Sequence, residues 1–289
     1  MKEFPQACLQ YYVRHFPIKK GKNRLLHLLW EPLSFNRYKR RTTLRHANIK
    51  MDCDLTKFLQ RQIYFWGAYE EEQTGSWMEY ARDAEVIFDI GANAGIYSLL
   101  AASVNPHARI HAFEPTPELF ADFLNNIRLN NIQNIIANEV AIGKTDETGF
   151  VHVCKGSDGS NEAMNYVTSE NLRQSDLPTE IRSIDSYCRQ NKIDRIDLMK
   201  IDIEGGEYNA LLGAKGLLES RSIGCLFIEL LDWAADRYGH STSEIEQLLR
   251  DAGYHLYEYT SRKLIPVKAG ATQSGDANVI ALAREPVFT

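Results

Sequence analysis

Two short stretches concentrate the residues of this 289-residue chain that could do chemistry. The first, VIFDIGANAG, spans Val86 to Gly95. An apolar run reaches Asp89 and then turns through Gly91, Asn93 and Gly95 into a helical pattern at Ile96, Leu99 and Leu100. Glycines let a backbone approach a ligand closely, and the first N–H groups of a helix are free to point at it. The next apolar run, Ala108 to Phe113, ends in Glu114, where a carboxylate can accept both hydroxyls of a ribose. The second stretch, MKIDIEGGEYNAL, begins at Met199. It places Asp202, Glu204 and Glu207 around the turn residues Gly205 and Gly206. Lys200 and Asp202, two apart on a strand, share a face. Acids are ordinary at helix N-termini, but four ionisable groups at one strand end exceed what packing alone asks for.

The glycine spacing narrows the cofactor. A dinucleotide turn needs G-x-G-x-x-G. Here its second and third glycine positions are Asn93 and Ile96. The crowded turn that a pyrophosphate requires is missing, which counts against an NAD-type oxidoreductase. That enzyme, and a non-catalytic cofactor-binding scaffold, stay as the alternatives.

The elements that must position these groups follow from periodicity. From Glu85 onward, short apolar runs alternate with helical patterns, the signature of a doubly wound, mostly parallel sheet. The expected strands are Val86–Asp89, Ala108–Phe113, Asn134–Ala141, Ile196–Ile201, Gly224–Leu230, Tyr254–Tyr259 and Asn278–Leu282, seven in all. The last two are expected as an antiparallel pair closing the sheet. Thr116, Pro117 and Glu118 start a helix with the core face Phe120, Phe123, Leu124 and Ile127. Ser241 and Glu244 have capping-box spacing. The stretch 147–183 interrupts the alternation as an inserted hairpin, with a polar loop KGSDGSNEAMN that could cover the site or simply be solvated. Ahead of the sheet, Phe58, Leu59, Ile63, Phe65 and Trp66 suggest a helix over one end of it. Glu70 follows in YFWGAYE, within reach of a ligand only if the tertiary fold brings it there.

Several stretches in order carry a resemblance: FDIGANAGIYS, FEPTPELFADFLNNIRLN, the AIG after the third strand, SIDSY and MKIDIEGGEYNALLGA. Together they resemble the FkbM family of S-adenosylmethionine-dependent methyltransferases over about Tyr64 to Ala283, and KIDIEGGE is the most specific piece. The resemblance implies a Rossmann-like α/β/α sandwich and O-methylation of sugar, glycan or natural-product hydroxyls. It implies S-adenosylmethionine held by Asp89, Gly91, Ala92, Asn93, Gly95, Glu114, Pro115, Ala141 and Asp202. An alcohol acceptor must lose a proton, so a base is expected. Asp202 is the first candidate, Glu204 the second and His240 the third. A divalent metal that acidifies the hydroxyl is the alternative to a base. It is not favoured, because the spacing of the acids is no dedicated metal signature.

Composition bounds the rest. With 44% hydrophobic and 25% charged residues the chain is globular. Five scattered cysteines without a C-x-x-C argue for reduced thiols in a cytoplasmic protein. Charge is uneven: residues 1–50 hold about 12 Lys and Arg against 2 acids, while the whole chain is −5. This gives a basic, helical N-terminal extension, 1–54, ahead of a catalytic domain, 55–289. Packing on the acidic body is the plainer role for the extension. Its leucine patch, Leu25 to Trp30, also suits an anionic lipid or membrane surface. Nucleic acid is not expected as a partner, because the body is acidic and lacks its recognition motifs.

Overall fold

The computed structural model describes residues 3–15, 39–154, 165–170, 173–260, 263–268 and 277–285. Helix α1 (Glu3–His15) precedes a hairpin of β1 (Lys39–Thr43) and β2 (Lys50–Asp54). Helices α2 (Phe58–Trp66) and α3 (Glu71–Ala81) then lead to the central strand β3 (Val86–Ile90). Every β3 residue is buried, as a strand covered on both faces must be. Next come α4 (Ile96–Val104), β4 (Arg109–Phe113), α5 (Pro117–Leu129) and β5 (Ile135–Asn138). The insertion holds β6 (Ala141–Ile142), β7 (Glu147–His152), β8 (Tyr166–Thr168) and β9 (Leu177–Arg182). After α6 (Ile184–Asn191) come β10 (Ile196–Ile201), α7 (Glu207–Leu212), α8 (Lys215–Glu219) and β11 (Ile223–Leu230). The chain ends through α9 (Asp232–Ala235), α10 (Thr242–Asp251), β12 (His255–Thr260), β13 (Lys263–Pro266) and β14 (Ala277–Leu282).

The main sheet runs β13-β12-β14-β11-β10-β3-β4-β5. Its five strands from β11 to β5 are parallel, and β14 runs antiparallel between β11 and β12. The chain winds outward from β3 to β5, then crosses back to β10 beside β3. The crevice between the carboxyl ends of β3 and β10 is therefore the topological switch point, where open α/β sheets bind ligands. Alternate β3 residues feed two cores: Ile87 packs with Leu99 and Trp77 on one face, Phe88 and Ile90 with Met199 and Ile201 on the other.

Three expectations need correction. The sheet has eight strands, because β13 folds back on β12. Four residues ending in a proline give almost no periodic signal, and proline suits an edge. The insertion is a small sheet of order β6-β9-β7-β8, not a simple hairpin. The extension is not purely helical, since 39–54 is the hairpin. Residues 25–30 and the loop 155–164 lie outside the described residues.

The hairpin is fastened to α5 by side chains. Asn126 Oδ1 accepts from Asp52 N at 2.9 Å, and Asn130 Oδ1 accepts from Lys50 N at 2.8 Å. Buried Lys57 donates to Asp122 Oδ2 at 2.9 Å, and Lys39 to Oδ1 at 2.7 Å. Burial pushes Asp122 up, but the bonds from Gln60, Lys39 and Lys57 outweigh it and hold the carboxyl below its ordinary value. Arg14 of α1 donates to Tyr64 O at 2.6 Å, satisfying a carbonyl near the C-terminus of α2.

Candidate active site

The turn after β3 brings the chain back across the switch point. Gly91 has φ +83, and a Cβ there would lie 1.9 Å from the carbonyl oxygen of Asp202. Only glycine allows the β3 and β10 ends to close so tightly. Asp202 N donates to Ile90 O at 3.1 Å, completing the junction. A cleft of about 330 Å³ opens over it. Gly91, Ala92, Asn93, Glu114, Pro115, Asp202 and Glu204 line it, together with Leu59, Tyr69, Glu229 and Trp233. A neighbouring cavity of about 410 Å³ shares Gly91, Pro115, Val167 and Ile203 with it, and is floored by Phe113, Ala141 and Ile142.

Glu114 is 5% exposed, and its two oxygens are held by two turns, the one after β3 and its own after β4. Oε2 accepts from Asn93 N at 2.9 Å and Oε1 from Thr116 N at 2.8 Å. Each oxygen keeps lone-pair capacity for a further donor from the cleft. Burial raises this carboxyl above its ordinary value against the pull of those backbone bonds.

At the end of β10, Lys200 Nζ lies 2.6 Å from Asp202 Oδ2 and 4.4 Å from the centroid of the Tyr97 ring. Burial pushes Asp202 up, but Lys200 outweighs it, and Asp202 is held below the usual carboxylate range. Glu229, at the end of β11, neighbours Asp202 in the parallel register and moves the other way, raised by burial and by the Asp202 charge. Glu204 sits at φ 57, a left-handed conformation that is uncommon outside glycine and concentrates at functional sites. Its Oε2 is buried without a hydrogen-bond partner. Burial and then the charges of Asp202 and Glu207 raise it to about 8. Glu207 instead folds back on its own turn, accepting from Ile203 N at 2.9 Å. Burial raises Glu207 to about 7.

Three expected site residues stand apart from the cleft. Asp89 is fully buried and caps α4, with Oδ2 accepting from Ser98 N at 2.9 Å and from Ser98 Oγ at 2.5 Å. Gly95 makes room for packing: a Cβ would lie 2.1 Å from the Phe123 ring. His240 is carried past the cleft by α9 and the turn at Gly239, and packs tilted against the Tyr208 ring, with centroids 4.4 Å apart. Glu229, Tyr69 and Trp233 complete the lining of the cleft. Position at a strand end was the available signal for Glu229, and tertiary packing alone reveals the other two. Among the described residues, no group of three His, Cys, Asp or Glu side chains is arranged to hold a metal ion. No helix there is long and apolar enough to cross a membrane.

The insertion is latched to this face. Tyr238 Oη donates to Val167 O at 2.8 Å and accepts from Val167 N at 3.1 Å, so β8 roofs both cavities. Arg237 stacks on Tyr166 at 4.2 Å beside it.

Parallel strands β5-β4-β3-β10-β11, an antiparallel β14, a glycine turn after β3 and an acid after β4 together define a Rossmann-like α/β fold with a cofactor crevice at its switch point. Comparison with known proteins is more specific. The family described as Methyltransferase FkbM domain matches residues 89–256. A protein named Methyltransferase 1 from Beauveria bassiana is 24% identical over 192 residues, covering 53% of this chain and 77% of its own. The 2-O-methyltransferase NoeI of Sinorhizobium fredii is 27% identical over 147 residues, covering 46% and 58%. The 31-O-demethyl-FK506 methyltransferase FkbM of Streptomyces tacrolimicus is 25% identical over 201 residues, covering 60% and 72%. The chain belongs to the FkbM family and is an S-adenosylmethionine-dependent methyltransferase.

Proposed function

We propose that the enzyme methylates a hydroxyl of a sugar, glycan or natural-product acceptor, with Glu204 as general base. The observation that carries this reading is the unpartnered, buried Oε2 of Glu204 in the cleft wall. Trp233 lines the same cleft while 45% exposed, a surface on which the C–H face of a sugar ring can stack. Two of the relatives carry O-methylation in their names, one at a 2-hydroxyl and one at a 31-hydroxyl.

The lining fits S-adenosylmethionine. Glu114 keeps acceptor capacity for the ribose hydroxyls. Phe113, Ala141 and Ile142 offer an apolar floor for the adenine. Asp202, low in pKa and fixed by Lys200, is a weak base but a good anionic partner for the methionine ammonium. The bound cofactor supplies a methyl already activated by its sulfonium. The protein has to align the acceptor oxygen, exclude water and accept one proton. Asp202 binds, Glu204 Oε2 takes the acceptor's proton, and the roof of Tyr166 and Val167 shields the reaction from solvent.

The basic first 50 residues stay a packing element in this account. Val13, Leu44 and Ile49 are buried in the core, so the described part of the extension is built into it. The test of the reading is transfer of a labelled methyl group to sugar nucleotides, lipid-linked glycans and hydroxylated metabolites. Label on oxygen supports it, and label only on nitrogen or carbon overturns it.

A further inference from the structure

Behind the cleft lies a small inner cavity of about 20 Å³, enough for one water-sized molecule. It shares Tyr97, Lys200, Asp202 and Glu229 with the cleft and adds Glu70 from the turn before α3. Charge around it does not balance: three carboxyls, Glu70, Asp202 and Glu229, meet one ammonium, Lys200. The ammonium is committed to Asp202 at 2.6 Å. Glu70 Oε2 accepts from the Tyr97 hydroxyl at 2.6 Å. Glu229 follows Ile228, the register partner of Ile201, so it stands beside Asp202 at the carboxyl end of the β10–β11 pair and lines the same cavity. Two neighbouring carboxyls share a hydrogen bond only when one carries a proton. Lys200 favours charge on Asp202, so the proton belongs on Glu229.

We propose that Glu229 works as a neutral carboxylic acid that donates to Asp202 and fixes the ionised Asp202 for the cofactor's ammonium. The proposal rests on the assignment of Asp202 to that ammonium. It makes Glu229 a positioning residue. Asp202 and Lys200 face it from β10, Tyr69 and Glu70 from the α2–α3 turn, Tyr97 from α4 and Tyr259 from β12. Burial raises both Tyr69 and Tyr97. Against burial, Asp202 and Asp89 hold Lys200 above its ordinary value. Those three groups keep their protons over the range in which Glu229 loses its own.

The test is S-adenosylhomocysteine binding to the full chain by calorimetry, from about pH 6 to about pH 10. An amide imitates a neutral acid in shape and in its N–H donor. Glu229→Gln should keep the neutral-pH affinity within about threefold, while Glu229→Leu should lose about tenfold or more. Wild-type affinity should fall towards alkaline pH more steeply than that of Glu229→Gln. The ligand's own ammonium titrates equally in both proteins, so the difference carries the result. Loss in Glu229→Gln as large as in Glu229→Leu, or identical pH profiles, would overturn the proposal. If Glu229→Leu does not fold, the glutamine variant and the wild-type profile still decide it. Weakened binding in Asp202→Asn with none in a folded Glu229→Leu would remove the proposal alone. Unchanged binding in Asp202→Asn would remove the ammonium assignment beneath it.

Discussion

Replacing Glu114 by alanine separates cofactor binding from folding. Both carboxylate oxygens already accept one backbone N–H, from Asn93 at 2.9 Å and Thr116 at 2.8 Å. Their remaining capacity faces the cleft and suits two ribose hydroxyls. Hydrogen bonds to a charged group contribute about 1.5–3 kcal/mol each. Water entering the vacated space restores part of that, leaving a loss of about 2–4 kcal/mol for the pair. This corresponds to a Kd for S-adenosylhomocysteine weaker by about 30- to 700-fold. The variant also strips the acceptors from Asn93 N and Thr116 N. Both residues line the cleft, so water can reach them and the folding cost is about 1–2 kcal/mol. Calorimetric titration beside a thermal melt reads both quantities. A folded Glu114→Ala protein with unchanged affinity would refute the ribose assignment.

Three further outcomes concern the scaffold. Lys57→Met leaves buried Asp122 without its buried cationic partner and should cost about 3 kcal/mol, lowering Tm by about 6–12 °C. A melt shifted by less than about 2 °C would show that Lys39 and Gln60 suffice. Asp122 is held below its ordinary value, so its share of stability is present at neutral pH and fades as acid protonates it. Gly95→Ala at φ +92 should destabilise by about 1–3 kcal/mol through Phe123 and change cofactor affinity far less than Glu114→Ala does. The opposite ranking in a binding assay would return Gly95 to the cofactor.

The central architecture was legible because buried parallel strands read as apolar runs and their ends as turns. Glu114 and Asp202 could be placed at strand ends before any contact was known. Asp89 and Gly95 could not be assigned from their types. A carboxylate at a strand end serves a helix cap as readily as a ligand, and a glycine serves a Phe123 ring as readily as a cofactor. His240 lay on the correct loop, but the path of that loop through α9 decides where the ring goes. The hairpin 39–54 was hidden because KRRTT and KMDCD look like exposed charge, although Thr42, Met51 and Cys53 point inward. The order of base strengths was equally out of reach. Lys200 and Glu229 both approach Asp202, and only their contacts show that it stays ionised while Glu204 is raised.

The pH dependence of methyl transfer by wild type and Glu204→Gln tests the account most directly. Burial and neighbouring charge raise Glu204 to about 8. A base acts in its deprotonated form, so wild-type turnover should climb with pH through that value and level off above it. Glu204→Gln should lose about 10²–10⁴-fold in turnover and lose the climb, with S-adenosylhomocysteine affinity nearly unchanged. Near wild-type turnover in Glu204→Gln, with the same climb, would contradict the account and return the proton to another group in the cleft.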